Sequence, residues 1–532
     1  MKHAVRKKSD YKCYIGNILT VNAHDDAARY LVTQGDRIVH VGDTLPSLYE
    51  DAEMIALGDR ALIPSFVDTH QHFASFSTFH AGLNVMDASS NEEIAQMVRD
   101  FASRAKAKTL IAFGASPYSV REQRLISRSE LDAACPDKEI MVVKYDGHAC
   151  IVNSKLLKKL DDKVRDLRGY HADTGEMNQE AFFRFSDYIS GSLSLPELVR
   201  NMQNSVDLYA SRGIGMIHTV SGVGFPMDLD ITMEKLFAKG LRNGFQVRVF
   251  PQPMDVKVAQ SRKLPRIGGC FESALDGCFG SHDAALNAPY TDAEGGCGVL
   301  YYSDEKVTEF CKKANRAGLQ IELHAIGDKA FDQAARALKA ALDDCPRRDH
   351  RHGIIHDCLP TEEGIRICAQ YGIQMPVQSA FINWKQEPDA YLEQILSAER
   401  CGKLNPIRTF SENGIVVSLG SDAPCTTPDP IVWMDRAVNN PNAGQAVSIR
   451  DALRMCTYNG CYATFDEKER GSLEPGKIAD MVILSADPYT IPSDQIGALR
   501  VEQLILSGKP YTSCRESVPR MILRGSTAQS KF

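Results

Sequence analysis

Two histidines one residue apart, His70 and His72, close the apolar run ALIPSFVDTHQHF at residues 61–73. On a strand, side chains two positions apart point to the same side, about 6.6 Å apart along the axis, so both imidazoles can lean onto one ion. Fourteen histidines in 532 residues give such a pair by chance roughly 0.4 times, so the pair needs context before it means more than two polar loop residues. His324 ends QIELH, His356 ends GIIH and Asp422 ends VVSLGSD. All three close strand-like runs, at the end where parallel barrels assemble their sites. One histidine there is more often a supporting group than a ligand, but four with a carboxylate make a donor set. Imidazole nitrogens and a hard carboxylate suit Zn²⁺ or a similar first-row divalent ion. A set that leaves one position open to water belongs to catalysis.

The elements that must carry these residues follow from the hydrophobic pattern. After position 200, apolar runs at 213–220, 245–252, 269–275, 319–327, 353–358, 373–380 and 414–423 alternate with amphipathic stretches. With 62–70 they make eight, the count of a (β/α)8 TIM barrel. Between them, DKAFDQAARALKAAL sets Ala330, Phe331, Ala334, Leu338 and Leu342 on one helical face, as a crossover packed on a sheet requires. The two chain ends share a different texture, with short β-rich runs between Asn, Asp and Gly turn signals. The expected organisation is α/β: residues 1–60 with 470–532 form a β-sandwich domain, and 61–75 with 201–469 form the metal-binding barrel. Residues 76–200, holding the strand-like TLIAFGAS and EIMVVKYDGH, are an insertion after the first strand that contributes to the active site.

Bulk properties narrow the partners. The chain is 43% hydrophobic and 24% charged with a net charge of -7, and it lacks both a basic block and an apolar run of eighteen residues. A small-molecule substrate is expected, with no nucleic acid and no membrane. The basic start MKHAVRKKSDYK has no apolar region behind it, so a cytoplasmic address is the expectation. Fifteen scattered cysteines without CxxC pairs read as reduced thiols. Cys358 and Cys425 each follow closely on a candidate site residue.

The order of IPSFVDTHQH, DGHACIVNSK, ESALDGCFGSHDAAL, HAIGDKAFDQA, GSDAPCTTPDP and GSLEPGKIADMVIL resembles the amidohydrolase superfamily, in its amidohydrolase family 3 or YtcJ-like branch. The resemblance runs from about residue 11 to 490. It implies a metal-centred barrel beside a sandwich built from both chain ends. By this resemblance His70 and His72 bind the more buried metal and His324 and His356 the more exposed one. Asp422 touches the first metal and shuttles protons. Relatives commonly place a carboxylated lysine four residues before the DG of the fourth strand; here that position is Glu272. Its carboxylate is expected to bridge two cations without modification. The alternatives are one metal with Glu272 in a salt bridge, or Lys144 as the bridging residue. His148 matches a histidine that reaches from the insertion to polarise the scissile carbonyl. His218 and His282 are expected in supporting roles, and Arg351 in surface pairing. Ile355 stands where relatives usually carry glutamate, and His282 with Asp283 replaces the usual RT, which bears on the substrate.

The resulting expectation is a metal-dependent amidohydrolase with one or two divalent cations, zinc first among them. It would cleave an amide, N-formyl or cyclic amide C–N bond, with Asp422 and His148 as catalytic residues. Deamination and metal-dependent decarboxylation use the same scaffold, and a metal-free binding protein is the reading from another class. Barrel enzymes of this kind often form homodimers.

Overall fold

A computed structural model of the chain describes residues 10–160, 162–292 and 295–528. The basic segment at residues 1–9, read above for targeting, lies outside them. Eight parallel strands follow one another along the chain, labelled here β1 (Phe66–Gln71), β2 (Ile214–Ser221), β3 (Gln246–Pro251), β4 (Arg266–Ala274), β5 (Gln320–Ala325), β6 (Gly353–His356), β7 (Met375–Val377) and β8 (Val417–Leu419). Ladders join β1–β2–β3, β4–β5–β6 and β7–β8. A parallel bridge from Gly353 to Gln374 links β6 toward β7, and one from Gln71 to Ala423 links the end of β1 to the turn after β8. β3 packs beside β4. Helices occupy the connections, and their apolar faces close the main core. Ala330, Phe331, Ala334, Leu338 and Leu342, on the helix Asp328–Asp344, are all buried there. Parallel strands covered in this way read as continuous apolar runs, which is why all eight stood out in the sequence.

The two chain ends form one continuous seven-stranded sheet, in the order 509–510, 501–506, 481–484, 53–64, 11–19, 27–34 and 37–42. Its twelve-residue strand Glu53–Pro64 runs up to the start of β1, so the run at 62–70 divides at Ser65 into the end of this sheet and β1. The expected insertion has its own six-stranded sheet, in the order 170–171, 176–178, 149–152, 139–144, 109–115 and 83–84. Two apolar clusters cover its faces. The helix Leu195–Ser211 instead buries Leu198, Val199, Met202 and Val206 in the main core, so the insertion's own packing ends before position 195. Among the described residues, no helix is long and apolar enough to cross a membrane. All fifteen cysteines are free thiols.

Candidate metal centre

The strand ends converge. His70 and His72 leave the end of β1, His356 closes β6, His324 lies one residue before the end of β5, and Asp422 lies in the turn after β8. Short backbone links fix the first and last of these together. The Asp422 amide donates to the His70 carbonyl at 2.8 Å, and the His72 amide to the Ala423 carbonyl at 2.8 Å. Asp68 on β1 accepts the Ser421 amide at 2.9 Å and its hydroxyl at 2.6 Å. Burial pushes the Asp68 carboxyl up to about 7, against these hydrogen bonds.

The Nε2 atoms of His70 and His72 each lie 3.3 Å from the same oxygen, Oδ1 of Asp422. Neither the His70 nitrogens nor that oxygen has a hydrogen-bond partner, although all are buried. Uncompensated polar atoms at such depth are costly. Ligand bonds of about 2.0–2.1 Å at a tetrahedral angle hold donor atoms about 3.3–3.4 Å apart, the separation of each histidine nitrogen from Asp422 Oδ1, and the donor atoms of all three residues lie within 4.8 Å of one another. The imidazole of His356 stands 5.2 Å from that of His70 and 4.5 Å from that of His324, between ring centroids. His356 Nδ1 contacts Gln378 Oε1 at 2.6 Å. With Nδ1–H as donor, Nε2 keeps its lone pair. His324 Nδ1 lies 3.4 Å from Asp276 Oδ1. Asp276 is itself anchored by the amides of Ala285, Ile326 and Gly327. Burial holds His70 below its ordinary pKa and His356 well below it. Burial thus disfavours the protonated form of both imidazoles, and a metal needs the neutral one. Burial would push Asp422 up, yet the imidazoles of His70, His72 and His356 hold it well below the carboxylate range.

Glu272 does not join this group. Gly269 pairs with Leu323, but the next rung joins Ala274 to His324, so residues 270–273 bulge out of the ladder. The bulge places Glu272 at the exposed side, with its carbonyl accepting from the Tyr302 hydroxyl at 2.8 Å. Counting back from the DG pair presumes an unbroken strand, and β4 is broken at that point. Gly268 and Gly269 permit the break, at φ +103° and +127°, since a Cβ would stand 2.0 Å from the Glu322 carbonyl at the first and 2.3 Å from Val220 Cγ1 at the second. Cys270 is carried inward instead. Its sulfur belongs with His70 and His356 to a second group whose donor atoms all lie within 4.8 Å of one another. Lys144 does not belong to either donor group, pairing instead with Asp146 at 2.7 Å and donating to Ser281 Oγ at 3.1 Å.

Over the centre opens a cavity of about 1090 Å³, counting the space at its mouth, lined by His72, His148, His324, His356 and Asp422. Its lining includes Phe79, Phe182, Phe183, Phe381, Trp384 and Leu392, a largely apolar surface that also carries Asp146, Glu387 and Asn405. His148 arrives from the insertion, its amide bonded to Asp146 Oδ1 at 3.1 Å. The ring of Phe271 separates it from His72, at 5.5 Å and 4.9 Å between centroids. Phe271, His356, Asp357 and Asp422 all hold positive φ without being glycine. Such backbone strain collects where a fold fixes side chains for a task. Cys358 and Cys425 line the cavity too.

The remaining candidates have other employment. His218 Nε2 contacts the Thr464 hydroxyl at 3.1 Å, and burial and then Arg266 lower its pKa to about 3. His282 pairs with Asp292 at 2.5 Å. Arg351 is not on the surface: it is buried, pairs with Glu467 and Asp349, and lies over the rings of Tyr462 and Phe465. Sequence reasoning missed Cys270, Gln378 and Asp276. Only Asp276, in the DG pair, carried a signal.

A family model described as "Amidohydrolase family" matches residues 53–511. The chain is 24% identical over 490 residues to the protein named YtcJ of Bacillus subtilis (strain 168), covering 86% of this chain and 90% of that one. It is 24% identical over 553 residues to the N-substituted formamide deformylase of Arthrobacter pascens, covering 92% and 96%. Its fold is similar to the crystal structure of an uncharacterised metal-dependent hydrolase from Pyrococcus furiosus, with a TM-score of 0.72 and 23% identity over 90% of this chain and 100% of that one. The match of the family model over most of the chain shows that this protein belongs to the amidohydrolase family.

Proposed function

We propose that the chain is a metal-dependent hydrolase that cleaves a C–N bond in an amide, N-formyl or cyclic amide substrate, its eight parallel strands arranged as a (β/α)8 barrel. The observation that carries this reading is the convergence of His70, His72 and Asp422, with both histidines 3.3 Å from one Asp422 oxygen, the buried His70 nitrogens and that oxygen unpartnered, and His72 and Asp422 lining a largely apolar cavity. The name of the deformylase relative supports an N-formyl or N-acyl substrate, and the aromatic walls suit an apolar substituent on the nitrogen. His70, His72 and Asp422 would hold the cation, with His324 and His356 beside them, and the donor set favours zinc. When bound, the ion would polarise the scissile carbonyl and lower the pKa of a water from about 15.7 to about 7.

The chain's own groups do the rest. Asp422, kept ionised by its imidazole neighbours, takes the proton that the attacking water gives up and returns it to the leaving nitrogen. His148, facing the cavity, hydrogen-bonds the oxygen on which negative charge develops. The aromatic walls exclude bulk water and orient the substituent. The test is metal analysis on protein purified without chelators, followed by assays with N-formyl amines, N-acyl amines, cyclic amides and amino-substituted rings. Release of a larger amine or a ring-opened acid supports the proposal. Ammonia would make the enzyme a deaminase, CO₂ a decarboxylase, and a chain that binds no metal a non-catalytic protein.

A further inference from the structure

We infer that Cys270 is a thiolate ligand of the metal centre, standing where the bridging carboxylate of Glu272 was expected. The inference rests on the metal-dependent reading above and adds to it the identity of a donor. Three observations meet on this residue. First, the four-residue bulge in β4 turns Glu272 outward and makes Cys270, directly after the last regular rung at Gly269, a buried residue freed from the ladder. Second, the Cys270 sulfur forms a compact donor group with His70 and His356, all three residues buried. Third, both nitrogens of His70 are buried without a partner, while the Nδ1 contact of His356 to Gln378 directs the lone pair of Nε2 away from that contact. A small apolar-like thiol would otherwise be an ordinary core residue. Two imidazoles presenting nitrogens toward the same space as its sulfur give it a different role.

On binding, the thiol releases its proton to solvent, and the sulfur keeps the electron pair and donates it to the cation. A sulfur, nitrogen and oxygen donor set discriminates against Mg²⁺, Ca²⁺ and Mn²⁺, which prefer oxygen alone, and favours Zn²⁺. Thiolate and Asp422 carboxylate together also balance the charge of a divalent ion without a modified lysine. Cys358 and Cys425 line the same cavity, but neither belongs to a group with two histidines among the described residues.

X-ray absorption at the zinc edge of the full-length, zinc-loaded protein tests the assignment. A sulfur shell at about 2.3 Å beside nitrogen and oxygen at about 2.0–2.1 Å is expected. Cys270→Ser should lose the sulfur shell and weaken zinc binding by more than the roughly 10–100-fold that a supporting residue costs, while Glu272→Gln should keep both. A zinc-loaded wild type with nitrogen and oxygen alone, or a Cys270→Ser variant that retains sulfur, would overturn the role of Cys270 and leave the metal reading standing. Failure of the wild type to bind any zinc would overturn both. A measurement that needs no variant runs alongside. Stripping zinc from the wild type should raise alkylation of Cys270 relative to Cys358 and Cys425, as read by peptide mapping. Unchanged relative labelling would refute the assignment.

Discussion

At the level of single residues, the centre depends on what each side chain is prevented from doing. Asp422 has an oxygen 3.3 Å from two imidazoles and no hydrogen bond to satisfy it, and the proposed mechanism uses its charge for the cation and for a proton in transit. Asp422→Asn keeps the shape and an oxygen donor but removes the basicity. Turnover should fall by at least the roughly 10²–10⁴-fold that general acid–base catalysis supplies, with metal content near that of the wild type. Full activity in that variant would exclude the proton-shuttle role. Gln378 acts at one remove by accepting from His356 Nδ1. Gln378→Leu should weaken zinc affinity about 10–100-fold, measured by competition with a chromophoric chelator, while thermal stability in saturating zinc changes little. The sequence revealed His70, His72, His324, His356 and Asp422 because each sits at or beside the end of an apolar run, where period and composition are legible. Gln378 shares that position, directly after β7, but an amide there does not signal a metal site, and Cys270 lies in a bulge whose geometry comes from contacts far along the chain.

At the level of elements, what the sequence conveyed was periodicity, and what it concealed was irregularity. The helix Asp328–Asp344 buries the five residues that its 3.6-residue period selects, and the eight parallel runs are continuous and apolar. The insertion was harder to read. Its edge strands at 83–84 and 170–171 and the neighbouring strand at 176–178 are two or three residues long, too short for alternation to register. The bulge in β4 shifted every residue counted from the DG pair. Buried polar joints between elements are equally silent in sequence, and Glu234 is the clearest. From the helix Leu229–Gly240 it accepts the Ala74 amide at 2.9 Å and the Ser221 hydroxyl, tying that helix to β2 and to the helix that follows His72. Burial, and then the charge of Asp230, raise its carboxyl to about 8 from 4.5. The folded state therefore holds a proton that the unfolded chain releases. This contribution is fully present below pH 4.5 and is lost as pH rises through about 8. Glu234→Gln should remove that dependence, and its melting temperature relative to the wild type should climb from acid to alkaline pH. Parallel curves across the range would mean that Glu234 is already ionised in the folded protein.

Over the whole molecule, the metal centre sits at the seam where the first and last parallel strands meet. The Gln71–Ala423 bridge, the Asp422 amide on the His70 carbonyl and the Ser421 contacts to Asp68 join segments some 350 residues apart in the chain. A cation held by His70, His72 and Asp422 would act at this seam as a cross-link that only the folded chain can form. Binding to the native state alone stabilises by RT ln(1 + [L]/Kd), about 2.7 kcal/mol when free zinc is 100 times the Kd. Chelation should accordingly lower the melting temperature by about 2–3 °C, and the midpoint should rise with the logarithm of added zinc. The double variant His70→Ala, His72→Ala should start near the chelated wild type and show no response to zinc. This comparison separates the seam from adventitious surface sites, which would shift both proteins alike. A wild-type midpoint that stays constant from chelator to excess zinc would show that these three side chains gather for some reason other than a metal, and the hydrolytic mechanism built on them would go with it.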